Sequence, residues 1–332
     1  MRLAAAAIAA VLVLGIVAAG AGTTSPAERS AAGGPVPTPA PAGPHGPPYA
    51  VGERVITFVD RSRTVRFPGR PPEPRTLVTV VRYPTVGSAS RVDVRNAPLD
   101  RADGPFPLVV FGHGFAVTPA VYYRLLRAWA QAGYVVAAPV FPLENAHAPG
   151  GPDESDLINE PGDMSDVISG MLAVSANPHD ALAGAVDSPE IAVSGQSDGG
   201  ETALAVAYDR QFLDLRVRAA VILSGARIPG AKALWFPRGA PPLLATQGTA
   251  DIVNLPKFTY AFFGLARSPK YLLRLIGAPH LPPYTSEQPQ LGIVERVSTD
   301  FLNRYLKSDG SAAGQMTNDG DRAGMAVLTA RP

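Results

Sequence analysis

Residues 190–204 read Glu190-Ile191-Ala192-Val193-Ser194-Gly195-Gln196-Ser197-Asp198-Gly199-Gly200-Glu201-Thr202-Ala203-Leu204. A short apolar run enters Gly195-Gln196-Ser197-Asp198-Gly199, and an alanine-rich helical pattern leaves it. The stretch predicts strand, sharp turn, helix. A Gly-x-Ser-x-Gly turn in that setting is a nucleophile elbow, which holds a serine exposed on a strained backbone. Side chains at 195 and 199 would collide with the neighbouring strand and helix as the chain reverses over one residue. Five residues alone occur by chance in many chains, so the weight of the motif depends on its surroundings.

The surroundings alternate strand and helix. Upstream, Val55–Val59 and Leu77–Arg82 read as strands, separated by Pro71-Pro72-Glu73-Pro74. Phe106-Pro107-Leu108-Val109-Val110-Phe111 is a continuous apolar run, the mark of a strand buried on both faces. It ends in Gly112-His113-Gly114-Phe115. Thr118-Pro119 starts a helix with Val121, Tyr122, Leu125, Leu126 and Trp129 at helical spacing, which puts Trp129 in the core. Val135–Val140 is the next strand and Met164–Leu172 the next helix, before the elbow strand at Ile191–Val193 and the elbow helix at Glu201–Tyr208. Strands follow at Val217–Leu223, Leu243–Thr246 and Tyr271–Ile276. Ile293, Val294, Val297, Phe301 and Tyr305 mark a last amphipathic helix. The fold class is α/β, a mostly parallel sheet with helices on both faces. Two long connections, 141–161 and 226–242, follow strand carboxyl ends, where such sheets place ligands.

The chain has 332 residues, 46% hydrophobic and 17% charged, enough for a full-sized core. Residues 1–21 carry one basic residue, Arg2, a long apolar run and Ala19-Gly20-Ala21, the pattern of a secretory signal peptide. An uncleaved anchor is the alternative, and both place the rest of the chain outside the cytoplasm. Residues 22–50 are rich in Pro, Gly and Ala and read as a disordered tether. The catalytic domain is expected over 51–307 and a loosely held tail over 308–332. The chain has no cysteine, which excludes disulfides, cysteine-bound metal and a lipid-modified cysteine. Net charge is +1, and without Arg2 basic and acidic residues balance at 28 each. No electrostatic case exists for nucleic acid or an anionic membrane.

A serine hydroxyl needs a base to activate it and a third group to hold that base. Of the five histidines, His45 lies in the tether, while His113, His147 and His179 precede Ser197. His280 alone follows it, in Gly277-Ala278-Pro279-His280. The elbow demands the order serine, acid, histidine, which selects His280. Asp251, on the loop after Leu243–Thr246, is the expected acid; Asp209 and Asp214 lie at the wrong end of the elbow helix. The amides of Asp198 and Phe115 are the expected oxyanion donors. Trp235 and Phe236 are candidate substrate-wall residues, with a packed loop anchor as the equal alternative. Asp153, Glu154 and Asp156 form an acidic cluster that reads as a solvated loop rather than a metal site.

In this order, His113-Gly114-Phe115, Gly195–Gly199, Asp251 and His280 resemble the α/β-hydrolase superfamily over about residues 51–307. The short layout without a lid resembles its secreted polyester-hydrolase, cutinase-like and platelet-activating-factor-acetylhydrolase-like branch. The resemblance implies carboxylic-ester hydrolysis on a small-molecule or polymeric ester, with no metal and no other cofactor. A protein acting as a monomer is expected. The sequence departs from that branch at Gln196, where histidine is commoner, at Asp198, where an apolar residue is usual, and in lacking the disulfide bacterial members often carry. The alternatives are an acyltransferase or peptidase with the same machinery, and a non-catalytic binding module.

Overall fold

The computed structural model describes residues 46–231 and 233–332. The expected signal peptide, His45 and the tether up to that residue lie outside the described residues. The first two apolar runs pair as a long antiparallel hairpin, β1 (Tyr49–Val65) and β2 (Glu73–Ser88), with the proline-rich break at its turn. From Val55 to Val59 burial alternates residue by residue, so this part of the sheet turns one face to solvent.

A short strand, β3 (Val94–Arg95), lies beside β1. Then the expected alternation begins. β4 (Phe106–Gly112) is buried at all seven residues, which is why its sequence is a continuous apolar run. One tight turn at Pro119–Tyr122 leads into α1 (Tyr123–Gln131), followed by β5 (Val135–Val140), α2 (Glu160–Ala176) and β6 (Val186–Gln196). The chain continues through α3 (Asp198–Tyr208), β7 (Val217–Leu223), β8 (Leu243–Gly248), α4 (Pro256–Leu265) and β9 (Lys270–Leu275). It ends in α5 (Pro282–Thr285), α6 (Gln290–Leu306), α7 (Ala312–Gly320) and β10 (Ala326–Arg331).

The sheet has ten strands in the order β10-β9-β8-β7-β6-β4-β5-β2-β1-β3. Strands β5, β4, β6, β7, β8 and β9 run parallel, with antiparallel β2 and β1 beyond one edge and antiparallel β10 on the other. This is the mostly parallel, helix-covered sheet expected from the sequence. β5 lies on one side of β4 and β6 on the other, so the strand order reverses there. The crevice above the carboxyl ends of β4 and β6 is where such a sheet accommodates a ligand.

The strand period of two sorts the core into two layers. Leu108 and Val110 face α2 and α3, packing with Met164, Ile168 and Leu204. Val109 and Phe111 face α1 and α6, packing with Leu125, Trp129 and Phe301. Trp129 is fully buried, as expected, and its Nε1–H donates to Ser298 Oγ at 2.9 Å. All eleven residues of α3 are buried, which its small side chains permit on a crowded sheet.

Two expectations are corrected here. The tail is not loose: α7 buries Ala312 and Met316, and β10 pairs with β9 from Ala326–Leu275 to Arg331–Lys270. Six residues with Ala326 and Leu328 inward are too few to announce a strand; the open edge of β9 supplies what the local pattern lacks. The acidic cluster is not wholly solvated either. Asp156 is 5% exposed and takes Arg75 Nη1 and Nη2 at 2.9 and 2.8 Å. Arg75, 1% exposed on β2, also donates Nε–H to Asp163 at 2.7 Å. A cation buried that deeply requires carboxylates around it, and these pin α2 and its leading turn to β2.

Candidate active site

The turn between β6 and α3 holds Ser197 at φ 57° and ψ −122°, a left-handed φ that L-residues avoid. The strain persists because the surroundings leave no slack. A Cβ on Gly195 would stand 2.0 Å from the Gly199 carbonyl oxygen, and one on Gly199 would stand 2.1 Å from the Gly112 carbonyl oxygen. The elbow is thus locked against the loop that leaves β4. Ser197 N–H donates to Leu223 O at 3.0 Å, and Ser197 O accepts from Glu201 N–H at 2.9 Å, starting α3. The helix begins at Asp198, three residues earlier than its alanine pattern predicts.

Ser197 Oγ lies 2.9 Å from His280 Nε2, and His280 Nδ1 lies 2.7 Å from Asp251 Oδ2. The structure therefore brings together the three side chains selected from the sequence, from the carboxyl ends of β6, β8 and β9. A carboxylate only accepts, so Nδ1 carries the imidazole proton and Nε2 keeps a lone pair toward the serine hydroxyl. Asp251 is 2% exposed and is held from two further sides: Val253 N–H donates to Oδ1 at 2.9 Å and Gln247 Nε2 to Oδ2 at 3.1 Å. The loops carrying Asp251 and His280 are tied together, with Ala250 N–H donating to Ala278 O at 3.1 Å and Gly277 N–H to Thr249 Oγ1 at 2.8 Å.

The loop after β4 borders the other side of Ser197. Neither the Phe115 nor the Asp198 N–H donates to an acceptor among the described residues. Ala116, at φ 57°, donates its N–H to Glu144 O at 2.8 Å, so the 141–161 connection clamps this loop. His113 is fully buried; its Nδ1–H donates to Gly114 O at 2.8 Å and its Nε2 accepts from Phe141 N–H at 3.0 Å. Burial depresses its pKa to about 4, and it stays neutral as a structural brace.

Around Asp198 lies a set of buried acids, Glu144 and Glu160 among them. Burial, then repulsion from Glu154, pushes the Asp198 carboxyl up to about 6, with His280 and Ser197 pulling the other way. Burial, with repulsion from Asp198, raises Glu144 to about 9, and burial and Glu144 raise Glu160 well above the carboxylate range. Glu144 and Glu160 are both 0% exposed, and the Thr202 hydroxyl donates to Glu160 Oε2 at 2.9 Å. As two carboxylates neither Glu144 oxygen would have a hydrogen-bond partner. One proton shared between the two side chains supplies it. Among the described residues no group of three or more His, Asp or Glu is arranged to hold a metal ion.

The expected substrate wall is elsewhere. Trp235 N–H donates to Tyr208 O at 2.6 Å, and the Phe236 ring packs on Tyr208 at 4.7 Å between centroids. Tyr208 ends α3, about 16 Å from Ser197 at the helical rise per residue. Phe236 is a loop anchor, and Trp235 holds the loop through its main-chain N–H while its ring is exposed: the 226–242 connection runs beside α3, where Ile228 and Ala231 pack against Ala205. Two surface clefts, one between Phe67–Arg70 and Pro149–Asp153 and one beside Trp235, likewise contain no member of the Ser197 cluster. Exposed apolar side chains stand directly after Asp251, at Ile252 and Val253, and on the loop that borders Ser197, at Phe115.

Four residues around this cluster escaped sequence reasoning: Tyr122, Glu144, Glu160 and Gln247. Gln247 left a signal, a long polar side chain directly after the Leu243–Thr246 strand run. The others left none, since each looks like an ordinary helix or loop residue until the chain folds.

Residues 94–246 match the family model described as Chlorophyllase. The match covers just under half of the chain. It takes in Gly112–Phe115 and Gly195–Gly199 and stops before Asp251 and His280. Chlorophyllase-like proteins are ester hydrolases, and the match points to that class of chemistry. No curated protein matches the chain.

Proposed function

We propose that this chain, an α/β hydrolase by its fold and by the match over residues 94–246, cleaves carboxylic esters with Ser197 as nucleophile. The observation that carries the reading is the continuous line Ser197 Oγ, His280, Asp251, at 2.9 and 2.7 Å. His280 Nε2 takes the hydroxyl proton as Ser197 Oγ attacks the ester carbonyl, and Asp251 stabilises the imidazolium that forms. The Phe115 and Asp198 amides donate to the oxyanion, where preorganised donors act most strongly. His280 returns the proton to the leaving alcohol. A water, deprotonated by the same imidazole, then releases the acid and restores Ser197. The exposed apolar side chains of Phe115, Ile252 and Val253 favour an ester with an apolar portion.

The experiment is active-site labelling combined with turnover. Wild-type protein is treated with an organophosphonate probe and assayed on p-nitrophenyl esters of graded chain length, a polyester film and chlorophyll. Labelling of Ser197, with turnover lost in Ser197→Ala, is the expected result. Full activity in Ser197→Ala would sink the reading. Product analysis with competing alcohols separates hydrolysis from the acyltransferase alternative.

A further inference from the structure

Gln196 is 1% exposed and immediately precedes the nucleophile, and nothing in the reaction described above uses its side chain. Its amide is hydrogen-bonded at both ends. Nε2 lies 3.2 Å from the main-chain oxygen of His280 and 3.2 Å from His280 Nε2. Oε1 accepts from the Tyr122 hydroxyl at 2.7 Å. Tyr122, fully buried, in turn accepts the Gly114 N–H at 3.2 Å. The orientation of the amide follows from chemistry. The His280 carbonyl can only accept, so the NH₂ end must face it. Gly114 N–H can only donate, so the Tyr122 hydroxyl proton must go to Gln196 Oε1. Burial holds the Tyr122 phenol well above its ordinary pKa, which keeps that proton in place.

The result is one polar strut: Gly114 N–H to Tyr122 O–H to Gln196 Oε1, then Gln196 N–H to the backbone of His280. Its two ends are the loop carrying the Phe115 amide and the loop carrying the base. The backbone of Gly114 is pressed against it: a Cβ there would meet Gln196 Oε1 at 2.9 Å and Ser197 Cβ at 3.1 Å. Resting on the proposed function, we propose that Gln196 is a positioning residue that fixes the base and the oxyanion loop relative to each other. The second amide hydrogen faces His280 Nε2, the atom that takes the serine proton in the reaction. Two carboxylates also face His280, Asp251 from the loop after β8 and Asp198 from α3.

Gln196→Met keeps the size of the side chain and removes the strut. Tyr122→Phe leaves the contact with His280 and cuts the connection to Gly114. Both are assayed on a p-nitrophenyl ester, with kcat expressed per Ser197 labelled by the organophosphonate, so that misfolded protein does not count. Gln196→Met is expected to lower kcat about tenfold to a hundredfold, the scale of a small misplacement of catalytic groups, with KM within about twofold. The acid limb of kcat/KM is expected to move to higher pH, a change that a merely packing role would not produce. Tyr122→Phe is expected to lower kcat by a smaller factor and to leave the acid limb in place. It carries the test alone if Gln196→Met yields no folded protein. Wild-type kcat per labelled site in the folded variants overturns the proposal while leaving the proposed function intact. Failure of the wild-type protein to label at Ser197 overturns both.

Discussion

Ser197 stands between two polar regions that solve the same problem in different ways. On the side of β8 and β9, Asp251, His280, Gln196 and Gln247 meet donor with acceptor, and both Asp251 oxygens are taken by N–H groups. On the side of α2, Asp198, Glu144 and Glu160 are buried as deeply, yet oxygens of all three lack donors. The first region meets both oxygens of its buried carboxylate with hydrogen-bond donors. The second keeps Glu144 and Glu160 tolerable by holding a proton between them, since an ionised carboxylate without partners cannot be kept in an apolar interior, and Asp198 ionises only above about pH 6. The difference teaches that burial alone does not set the state of an acid; the supply of donors does. Only the first arrangement suits a residue that must steady an imidazolium.

Changing the well-partnered acid should break the comparison most severely. Asp251→Asn presents an amide where a carboxylate accepted the Nδ1 proton, and the imidazole is expected to flip its tautomer or lose its hold. A loss of about 10³–10⁴-fold in kcat is expected, with little change in the thermal midpoint. A residual rate within tenfold of wild type would show that His280 needs no anionic support.

Asp198 links the two regions. Its carboxyl is raised to about 6, so it is ionised at pH 8 and largely protonated at pH 5. Ionised, it adds to the attraction that stabilises imidazolium at His280, worth about 1 kcal/mol, or roughly fivefold in rate. Asp198→Asn is therefore expected to slow turnover several-fold at pH 8 and hardly at all at pH 5. Besides the acid limb that both proteins share through His280, the wild-type profile from pH 4.5 to 8.5 should carry a contribution near 6 that the variant lacks; identical profiles would contradict this.

The smallest effect belongs to the proton-sharing pair and should appear in stability rather than rate. The folded-state pKa of Glu144 lies above its ordinary 4.5, at about 9. Stability is then fully present below the ordinary value and is lost as pH rises through the folded one. Glu144→Gln keeps a donor for Glu160 and removes one titration. Calorimetry at pH 8 should find the variant's midpoint higher by several degrees, about 2–4 °C for each kcal/mol recovered. Near pH 4.5 the two proteins should melt together. A variant less stable than wild type at pH 8 would mean that Glu144 is ionised and partnered after all.

The same contrast explains what could be read from the sequence. Val135–Val140 and Val217–Leu223 emerge with the boundaries their apolar runs predict, because a strand buried on both faces writes its whole length in hydrophobic residues. Ser197, Asp251 and His280 were reachable because chain order and loop position constrain them. Helix α4 was overlooked although Pro256 sits in its first turn, since only Thr259 and Phe262 are buried and the apolar stripe is thin. Glu144, Glu160 and Asp156 were invisible as interior groups, because acids in a loop or helix start give no sign of facing inward. Trp235 and Phe236 misled for the converse reason: aromatic side chains in an irregular loop look the same whether they line a site or fasten a crossing.

Ser197 rides on β6, while its acid and base ride on the turns after β8 and β9, with β7 between them. Neighbouring strands stand about 4.8 Å apart, so hydroxyl and imidazole are carried on rails some three strand spacings from each other. The reach between them is a dimension of the sheet as well as of the loops. Ile222 and Leu223, sealed inside β7 and never in view of a substrate, help set that gauge. In a lineage drifting under selection for turnover, the interior of this molecule would be scrutinised as closely as its surface.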